Sequence, residues 1–321
     1  MIPLLPLVVL AGPALAGRVQ DYRSETAVAT EGPSAGEVLA LRTFTRDGER
    51  LHWLVDPATL ATRIVPANRL HLEARAWSAL RNATAGTTYG RALADAEANR
   101  APLQGAGLGH VRSSRPGIDL TLDLCPSRHP LDRGLFTALL DDLGREERPV
   151  PVAIAVTGAW LREHPADLEW LSSLERGGTL AVTWVNHSDH HRSSPTRPLA
   201  SNFLLEPGTD VGAEVLGAER AMIEAGLLPS VFFRFPGLVS RPDVFASVVA
   251  LGLVPLGSDA WLAKMRHPPG EGSIVLVHAN GNEPTGVRRF LELLRSERER
   301  IQAGSWQLLD LRQSVVDTEV R

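Results

Sequence analysis

The chain has 321 residues, of which 44% are apolar and 22% are charged, and its net charge is −4 at pH 7. This composition is typical of a globular protein with an ample core. The length allows one large domain with an appendage, or two domains. An acidic balance without a basic stripe argues against nucleic acid as a partner. The single cysteine, Cys125, excludes a disulfide bond within the chain.

The N-terminal segment has the pattern of a secretory signal. Residues 2–12 form an apolar run, and residues 14–16 (Ala-Leu-Ala) match the Ala-x-Ala cleavage pattern. The run is too short to span a bilayer, which takes about 20 residues, so no transmembrane segment is expected. We therefore expect a signal peptide at residues 1–16 and an exported protein, periplasmic or secreted. Because the run lacks Lys and Arg, a buried N-terminal strand is the alternative.

Residues 17–115 predict a small α+β accessory region without a chemical motif. The first part, 17–37, is polar and contains Gly, Ser and Pro, which is typical of a poorly ordered lead-in. The stretch 38–55 has two apolar runs around an Asp-Gly pair and predicts a β-hairpin. Helical composition follows over residues 70–99.

From residue 116 the pattern changes to strands that alternate with helices. The predicted strands are 119–124, 150–157, 179–185, 230–234, 253–257, 273–278 and 306–311, and the predicted helices are 131–148, 160–176, 211–226, 242–251 and 287–303. Such alternation implies parallel pairing through right-handed crossovers. About seven strand–helix units predict an α/β fold, a distorted parallel (β/α) barrel, over residues 116–316.

The most distinctive motif is Asn-His-Ser-Asp-His-His at residues 186–191, directly after a predicted strand. It contains three of the ten histidines of the chain. His187 and His191 are separated by one helical turn, which would place both imidazoles on the same side. Two imidazoles at this spacing commonly hold a transition metal. The alternative is a polar loop in which the histidines are solvated or cap a helix.

Other reactive side chains also fall at the ends of predicted strands. They are Asp123, Arg234, Asp259 and His278. Each has an ordinary structural interpretation, such as a helix N-cap, an ion-pair partner or a satisfied core histidine. In a barrel, however, the site lies at the carboxyl ends of the strands. The coincidence of several such residues with His187 therefore favours a functional site.

These segments resemble the five ordered motifs of the polysaccharide deacetylase family, carbohydrate esterase family 4, also known as the chitooligosaccharide deacetylase homology domain. Residues 121–126 (TLDLCP) resemble the first motif, Thr-Phe-Asp-Asp-Gly-Pro, and 187–191 fits His-Ser/Thr-x-x-His. Residues 234–237 approximate Arg-x-Pro-x-Gly, and 258–261 loosely match the motif with an Asp and a Trp. Residues 276–278 match the final Leu-x-His. The resemblance covers the predicted barrel and none of the accessory region.

The resemblance implies an exported hydrolase that removes N-acetyl groups from amino sugars of an envelope polysaccharide, such as peptidoglycan or chitin. It implies a divalent metal, usually zinc, held by His187 and His191. Asp123 would be the general base and His278 the general acid. Arg234 would orient Asp123 and keep it ionised.

The same resemblance assigns the remaining site residues to the substrate. Trp261 and Leu276 would line an apolar pocket for the acetyl group, and Pro236 would lie beside the substrate. Asp259 would adjust the properties of His278.

One position departs from the family pattern. The second aspartate of the first motif is a metal ligand in the family, and Leu124 occupies that position here. A substitute ligand would hold the metal, or the two histidines would bind it weakly with water and substrate, or metal and catalysis have both been lost. The candidate substitutes are Asp123, Asp132, Asp189 and the thiolate of Cys125. Loss of metal and catalysis would leave a catalytically inactive glycan-binding protein. Hydrolysis of a non-sugar amide is a further alternative.

Overall fold

The computed structural model describes residues 17–32, 36–113, 115–143, 148–265 and 267–318. The predicted signal peptide at 1–16 lies outside these ranges. Within them, none of the helices combines the length and apolar content that a membrane span requires. The described residues form an antiparallel sheet of five strands, followed by a parallel sheet flanked by helices.

The antiparallel sheet contains the predicted hairpin. Its strands are β1 (Val19–Thr30), β2 (Val38–Arg46), β3 (Glu49–Val55), β4 (Thr62–Pro66) and β5 (His71–Ala74), in the spatial order β4-β3-β2-β1-β5. Asp47 and Gly48 join β2 to β3, with φ values of 52° and 79°. Positive φ at both central residues is the requirement of the type I′ turn, so this hairpin prediction is confirmed.

The expectation of a poorly ordered lead-in over 17–37 is wrong for the described residues, 17–32 and 36–37. Most of this stretch is β1, which pairs with β2 on one side and β5 on the other. Ala27 and Ala29 are buried and alternate with more exposed neighbours. A strand of polar and small residues in this position is stabilised mainly by its backbone pairing, which its composition does not reveal.

Two helices connect this sheet to the parallel one, α1 (Trp77–Thr84) and α2 (Thr88–Ala98). Thr87 begins α2 as its N-cap, because its hydroxyl accepts a hydrogen bond from the amide of Gly90. The predicted helical stretch 70–99 is therefore divided into strand β5 and two short helices.

The parallel sheet and its helices confirm the predicted fold class. The strands are β6 (Gly117–Leu124), β7 (Val150–Val156), β8 (Leu180–Asn186), β9 (Phe232–Phe233), β10 (Val254–Pro255), β11 (Ala260–Trp261), β12 (Ile274–His278) and β13 (Gln307–Leu308). The helices are α3 (Arg133–Leu143), α4 (Gly158–Glu163), α5 (Pro165–Arg176), α6 (Val211–Glu224), α7 (Pro242–Ala250), α8 (Pro284–Gln302) and α9 (Leu311–Asp317). Short 3₁₀ turns lie at Ala67–Arg69, Leu199–Ser201, Phe203–Leu205 and Pro236–Leu238. The spatial order is β10-β9-β8-β7-β6-β12-β11, with β13 beside β6.

The barrel is open between its end strands β10 and β11, and residues 108–111 lie in that gap. The amide of Gly257, after β10, donates to the carbonyl of Leu108 at 2.7 Å. The amide of Val111 donates to the carbonyl of Gly272, before β12, at 2.9 Å. The last segment of the accessory region thus takes part in the wall of the barrel.

The accessory sheet also shares a hydrophobic core with the barrel. Leu41 and Trp53 from the sheet pack in one cluster with Phe232 and Val254 from the barrel. The indole of Trp53 donates to the carbonyl of Pro229 at 3.2 Å, which fixes the sheet at the start of β9.

Candidate active site

Strand β6 presents alternate residues to opposite sides of the parallel sheet. Its outward side chains pack with the helices, and they are Ile118, Leu120, Leu122 and Leu124. Asp123 faces the other way, towards Arg234 and His187. Because side chains in a strand alternate with a period of two, Cys125 falls on the same side as Asp123. Leu124 is therefore turned away from the site, and Cys125 towards it.

Cys125, His187 and His191 form a buried cluster with metal-ligand chemistry. Their exposed fractions are 6%, 1% and 9%, and one ligand atom of each lies within 4.8 Å of the others. Cys125 Sγ lies 3.5 Å from His187 Nε2, and the two imidazole centroids are 4.8 Å apart. In a tetrahedral zinc site, nitrogen and sulfur ligands lie roughly 3.3–3.6 Å from one another. The cluster fits such an ion after a small contraction.

The free nitrogen of each histidine is available to a metal. His187 Nδ1 lies 2.9 Å from the carbonyl oxygen of Arg234, which accepts only from an N–H group. Nε2 of His187 therefore carries the lone pair, as in metal-bound imidazoles whose other nitrogen is fixed by a hydrogen bond. Burial lowers the pKa of His187 to about 4, although Asp123 opposes the shift, so His187 is neutral near pH 7. His191 Nε2 is buried and has no hydrogen-bond partner among the described residues.

The predicted helical turn from His187 to His191 is wrong, although the two rings do meet. Ser188 and His191 have φ values of 67° and 48°, and the segment is an irregular loop. Glu214 on α6 accepts hydrogen bonds from the amides at 189 and 190, at 3.1 and 2.9 Å. These contacts with α6 replace the internal hydrogen bonds of a helix.

The four candidate substitutes for the missing aspartate have different surroundings. Asp132 accepts from the amide of Leu135 and caps α3, while Asp189 forms an ion pair with Arg162 at 2.8 Å. Asp123 Oδ2 lies 3.7 Å from His187 Nε2, and its other oxygen faces Arg234. Among the described residues, only Cys125 completes a three-ligand cluster with both histidines.

Asp123 is held by a buried arginine that contacts it loosely. Arg234 is fully buried, and its NH1 lies 3.4 Å from Asp123 Oδ1. Its NH2 donates to the hydroxyl of Thr121 at 3.0 Å, whereas Nε has no hydrogen-bond partner in the described structure. The guanidinium contacts one oxygen of Asp123 and leaves Oδ2 directed towards His187.

His278 lies beside Asp123 and carries its own carboxylate partner. The two residues are register partners on the parallel strands β12 and β6. Glu283 Oε2 lies 2.7 Å from His278 Nδ1 and accepts from the indole of Trp261 at 2.7 Å. Although burial opposes it, the Cys125 thiolate and the Glu283 carboxylate raise the pKa of His278 well above its usual value. Although burial also raises the Cys125 pKa, His191 and His278 lower it to about 7.

The expectation that Asp259 adjusts His278 needs correction. Asp259 accepts from the amide of Ile274 at 3.0 Å and lies 2.8 Å from His110 Nδ1. Ile274 begins β12 and His278 ends it, so the two ends are about 13 Å apart. The partner of His278 is instead Glu283, five residues after it in the loop that follows β12.

The other residues assigned to the substrate lie around His278 and Arg234. The Trp261 ring is 5.8 Å from the His278 ring, and Leu276 precedes His278 by two residues on the same face of β12. Pro236 is buried in the 3₁₀ turn that follows Arg234.

Phe203 is a neighbour of the site that the sequence patterns do not reveal. Its ring packs edge to face against His191, with centroids 5.6 Å apart. A Cβ at position 237 would lie 2.6 Å from this ring, so Gly237 makes room for it. Phe203 follows a long irregular segment without periodicity, and only the folded chain brings it to His191.

No family model matches the chain. Its fold is similar to that of BA3943, a family 4 carbohydrate esterase pseudoenzyme from Bacillus anthracis, with a TM-score of 0.45 and 13% identity over 67% of this chain and 70% of that one. A family 4 carbohydrate esterase from the same organism gives 0.45 and 18%, over 68% and 90%. The peptidoglycan deacetylase PdaC from Bacillus subtilis gives 0.43 and 16%, over 64% and 92%. The similarity is distant, and two of these proteins bear the name of the family that the sequence motifs resemble.

Proposed function

We propose that the protein is an exported, metal-dependent hydrolase that removes N-acetyl groups from the amino sugars of an envelope polysaccharide. The observation that carries this proposal is the placement of a buried carboxylate, Asp123, opposite a cationic imidazole, His278, on paired strands beside the Cys-His-His cluster. A carboxylate placed to accept a proton and an imidazole whose raised pKa keeps it protonated are what hydrolysis of an amide requires.

In the proposed mechanism, Asp123 and His278 carry out the two proton transfers of the hydrolysis. A divalent ion held by the cluster would polarise the acetyl carbonyl and acidify a water molecule. Asp123 accepts the proton of the attacking water at Oδ2, while Arg234 holds its carboxylate in place. As the amide C–N bond breaks, His278 donates its proton to the leaving nitrogen. Glu283 Oε2 lies 2.7 Å from Nδ1 of His278, and this carboxylate favours the protonated imidazole that serves as the acid.

The substrate class is supported by the walls of the site and by the sequence. The partly exposed ring of Trp261, beside His278, supplies apolar surface suited to a methyl group. The motif resemblance indicates an amino sugar, and the signal-like residues 1–16 indicate that it lies outside the cytoplasm. An N-acetylated non-sugar amide is the alternative substrate.

The test is acetate release from chito-oligomers, peptidoglycan fragments and an N-acetylated peptide, with and without added zinc or cobalt. Asp123→Asn is expected to reduce the rate about 10²–10⁴-fold, because it removes the general base. Asp132→Asn is the matched control, since Asp132 caps α3 and lies outside the cluster. Turnover that survives Asp123→Asn unchanged would refute the assigned mechanism.

The second candidate function is a glycan-binding protein without turnover. Leu124 favours it, since the position of the usual carboxylate ligand is apolar and turned away from the site. It predicts glycan binding with neither acetate release nor metal uptake. The buried pair of Asp123 and Arg234 favours the enzyme. A buried ion pair contributes little net stability, so a role in stability does not by itself explain this pair.

A further inference from the structure

The backbone at Cys125 is fixed on the side of the site. The amide nitrogen Nδ2 of the buried Asn280, which follows β12, donates to the carbonyl of Cys125 at 2.7 Å. The hydroxyl of Ser127 donates in turn to the carbonyl of Asn280 at 2.8 Å. These two bonds hold the end of β6 against the end of β12, so the Cys125 sulfur has a defined position beside His187.

His191 provides an independent indication of a ligand. Its Nε2 is buried without a hydrogen-bond partner among the described residues, and only 9% of the residue is exposed. Leaving a buried polar group unpaired is unfavourable, and such groups in native proteins commonly bind water or an ion. Phe203 packs against the ring of His191, which restricts its reorientation towards another partner.

We infer that Cys125 is the third protein ligand of the metal, so that a thiolate replaces the missing carboxylate and the site selects a borderline ion such as Zn²⁺ or Co²⁺ over Mg²⁺, Ca²⁺ or Mn²⁺. One sulfur and two imidazole nitrogens are a donor set that zinc accepts and that hard cations disfavour. Three protein ligands also leave a fourth position for a water molecule, as catalytic zinc sites require. The inference deepens the proposed function, on which it rests for the role of the metal but not for its ligands.

The experiment is the near-ultraviolet and visible spectrum of the full chain titrated with Co²⁺. A thiolate bound to Co²⁺ gives an intense charge-transfer band, and the chain has a single cysteine, so any such band belongs to Cys125. We expect the band in the wild type with one Co²⁺ per chain, its displacement by Zn²⁺, and no displacement by Mg²⁺. Cys125→Asp is expected to retain the weak visible bands of bound Co²⁺ and lose the charge-transfer band. His71→Ala, which removes an exposed histidine on β5, is the control and keeps both features.

The outcomes separate the inference from the proposed function. Stoichiometric Co²⁺ binding without a charge-transfer band, or no Co²⁺ binding, would overturn the ligand assignment. The wild-type spectrum decides this point even if the Cys125→Asp variant does not fold. A charge-transfer band without acetate release from any substrate would support the ligand assignment and refute the deacetylase. Acetate release without the band would support the deacetylase and refute the ligand assignment.

Discussion

Two arginines are fully buried and face a carboxylate, Arg42 in the accessory sheet and Arg234 in the barrel. They differ in how many hydrogen bonds their guanidinium groups make. Arg42 donates to both oxygens of Glu219, from Nε at 2.6 Å and from NH2 at 2.8 Å. Its NH1 donates to two backbone carbonyls at 2.7 Å, so all three nitrogens have partners. Arg234 makes one contact of 3.4 Å with Asp123, and its Nε has no partner in the described structure.

One of these pairs supports the fold and the other supports the chemistry of the site. Glu219 on α6 also accepts from the hydroxyl of Tyr22 at 3.0 Å, so both partners of its carboxylate found in the described structure belong to the accessory sheet. Asp123 keeps one oxygen directed at the cluster of Cys125, His187 and His191. A buried ion pair with every hydrogen bond satisfied anchors one region to another, whereas an incompletely satisfied pair leaves a carboxylate free to accept a proton.

The largest expected effect is on stability, from Arg42→Met. Removing the cation leaves Glu219 buried beside Tyr22 without its charge partner, which typically costs about 3–5 kcal/mol in the free energy of unfolding. Urea denaturation followed by circular dichroism measures this loss. Arg234→Met is expected to cost less stability and to abolish acetate release. Equal losses of stability in the two variants would contradict the comparison.

A double variant provides the control for Arg42. Because two apolar residues need no desolvated charge, Arg42→Met combined with Glu219→Met is expected to recover much of the stability lost in the single variant. A double variant as unstable as the single one would show that packing around Trp53, rather than the ion pair, accounts for the loss.

His278 and Glu283 form an ion pair that is more exposed than either arginine pair. Disrupting this pair is expected to change the pH dependence of activity. Cys125 and Glu283 both raise the pKa of His278 against the effect of burial, so Glu283→Gln removes part of the rise and lowers that pKa. The acid must be protonated to act, and the alkaline limb of the rate profile therefore moves to lower pH. The loss of rate is expected to reach at most about a hundredfold.

Asp259→Asn is the matched control for this pH shift. Asp259 occupies the sequence position first assigned to tuning His278, yet its carboxylate binds groups at the opposite end of β12. Its variant is expected to leave the alkaline limb in place. A shift of that limb in Asp259→Asn but not in Glu283→Gln would restore the original assignment.

The fold was predictable where local periodicity reports burial. Alternating strands and helices gave the parallel sheet, and an Asp-Gly pair gave the hairpin of β2 and β3. Strand β1 was missed because it is polar, and its position depends on pairing with β2 and the distant β5. Composition carries no information about such a long-range backbone partner.

The candidate site was predictable where residue type and strand end coincide. Asp123, His187 and His278 could be identified in this way, and the structure brings them together. Glu283 and Phe203 were missed because loop positions follow no period. The choice among the four substitute ligands needed the direction of the side chains in β6.

The smallest expected effect comes from Thr121, the second partner of Arg234. Thr121→Val removes the hydroxyl that accepts from Arg234 NH2, at a cost of about 1–2 kcal/mol in unfolding free energy. Thr121→Ser keeps the hydroxyl and serves as the control. The 3.4 Å contact with Asp123 would then be the one remaining hydrogen bond of the Arg234 side chain within the described ranges. Acetate release should therefore fall by more in Thr121→Val than in Thr121→Ser. Equal rates in the two variants would mean that the contact with Asp123 is enough to position Arg234. The pair of Arg234 with Asp123 would then need no further hydrogen bond, like the pair of Arg42 with Glu219.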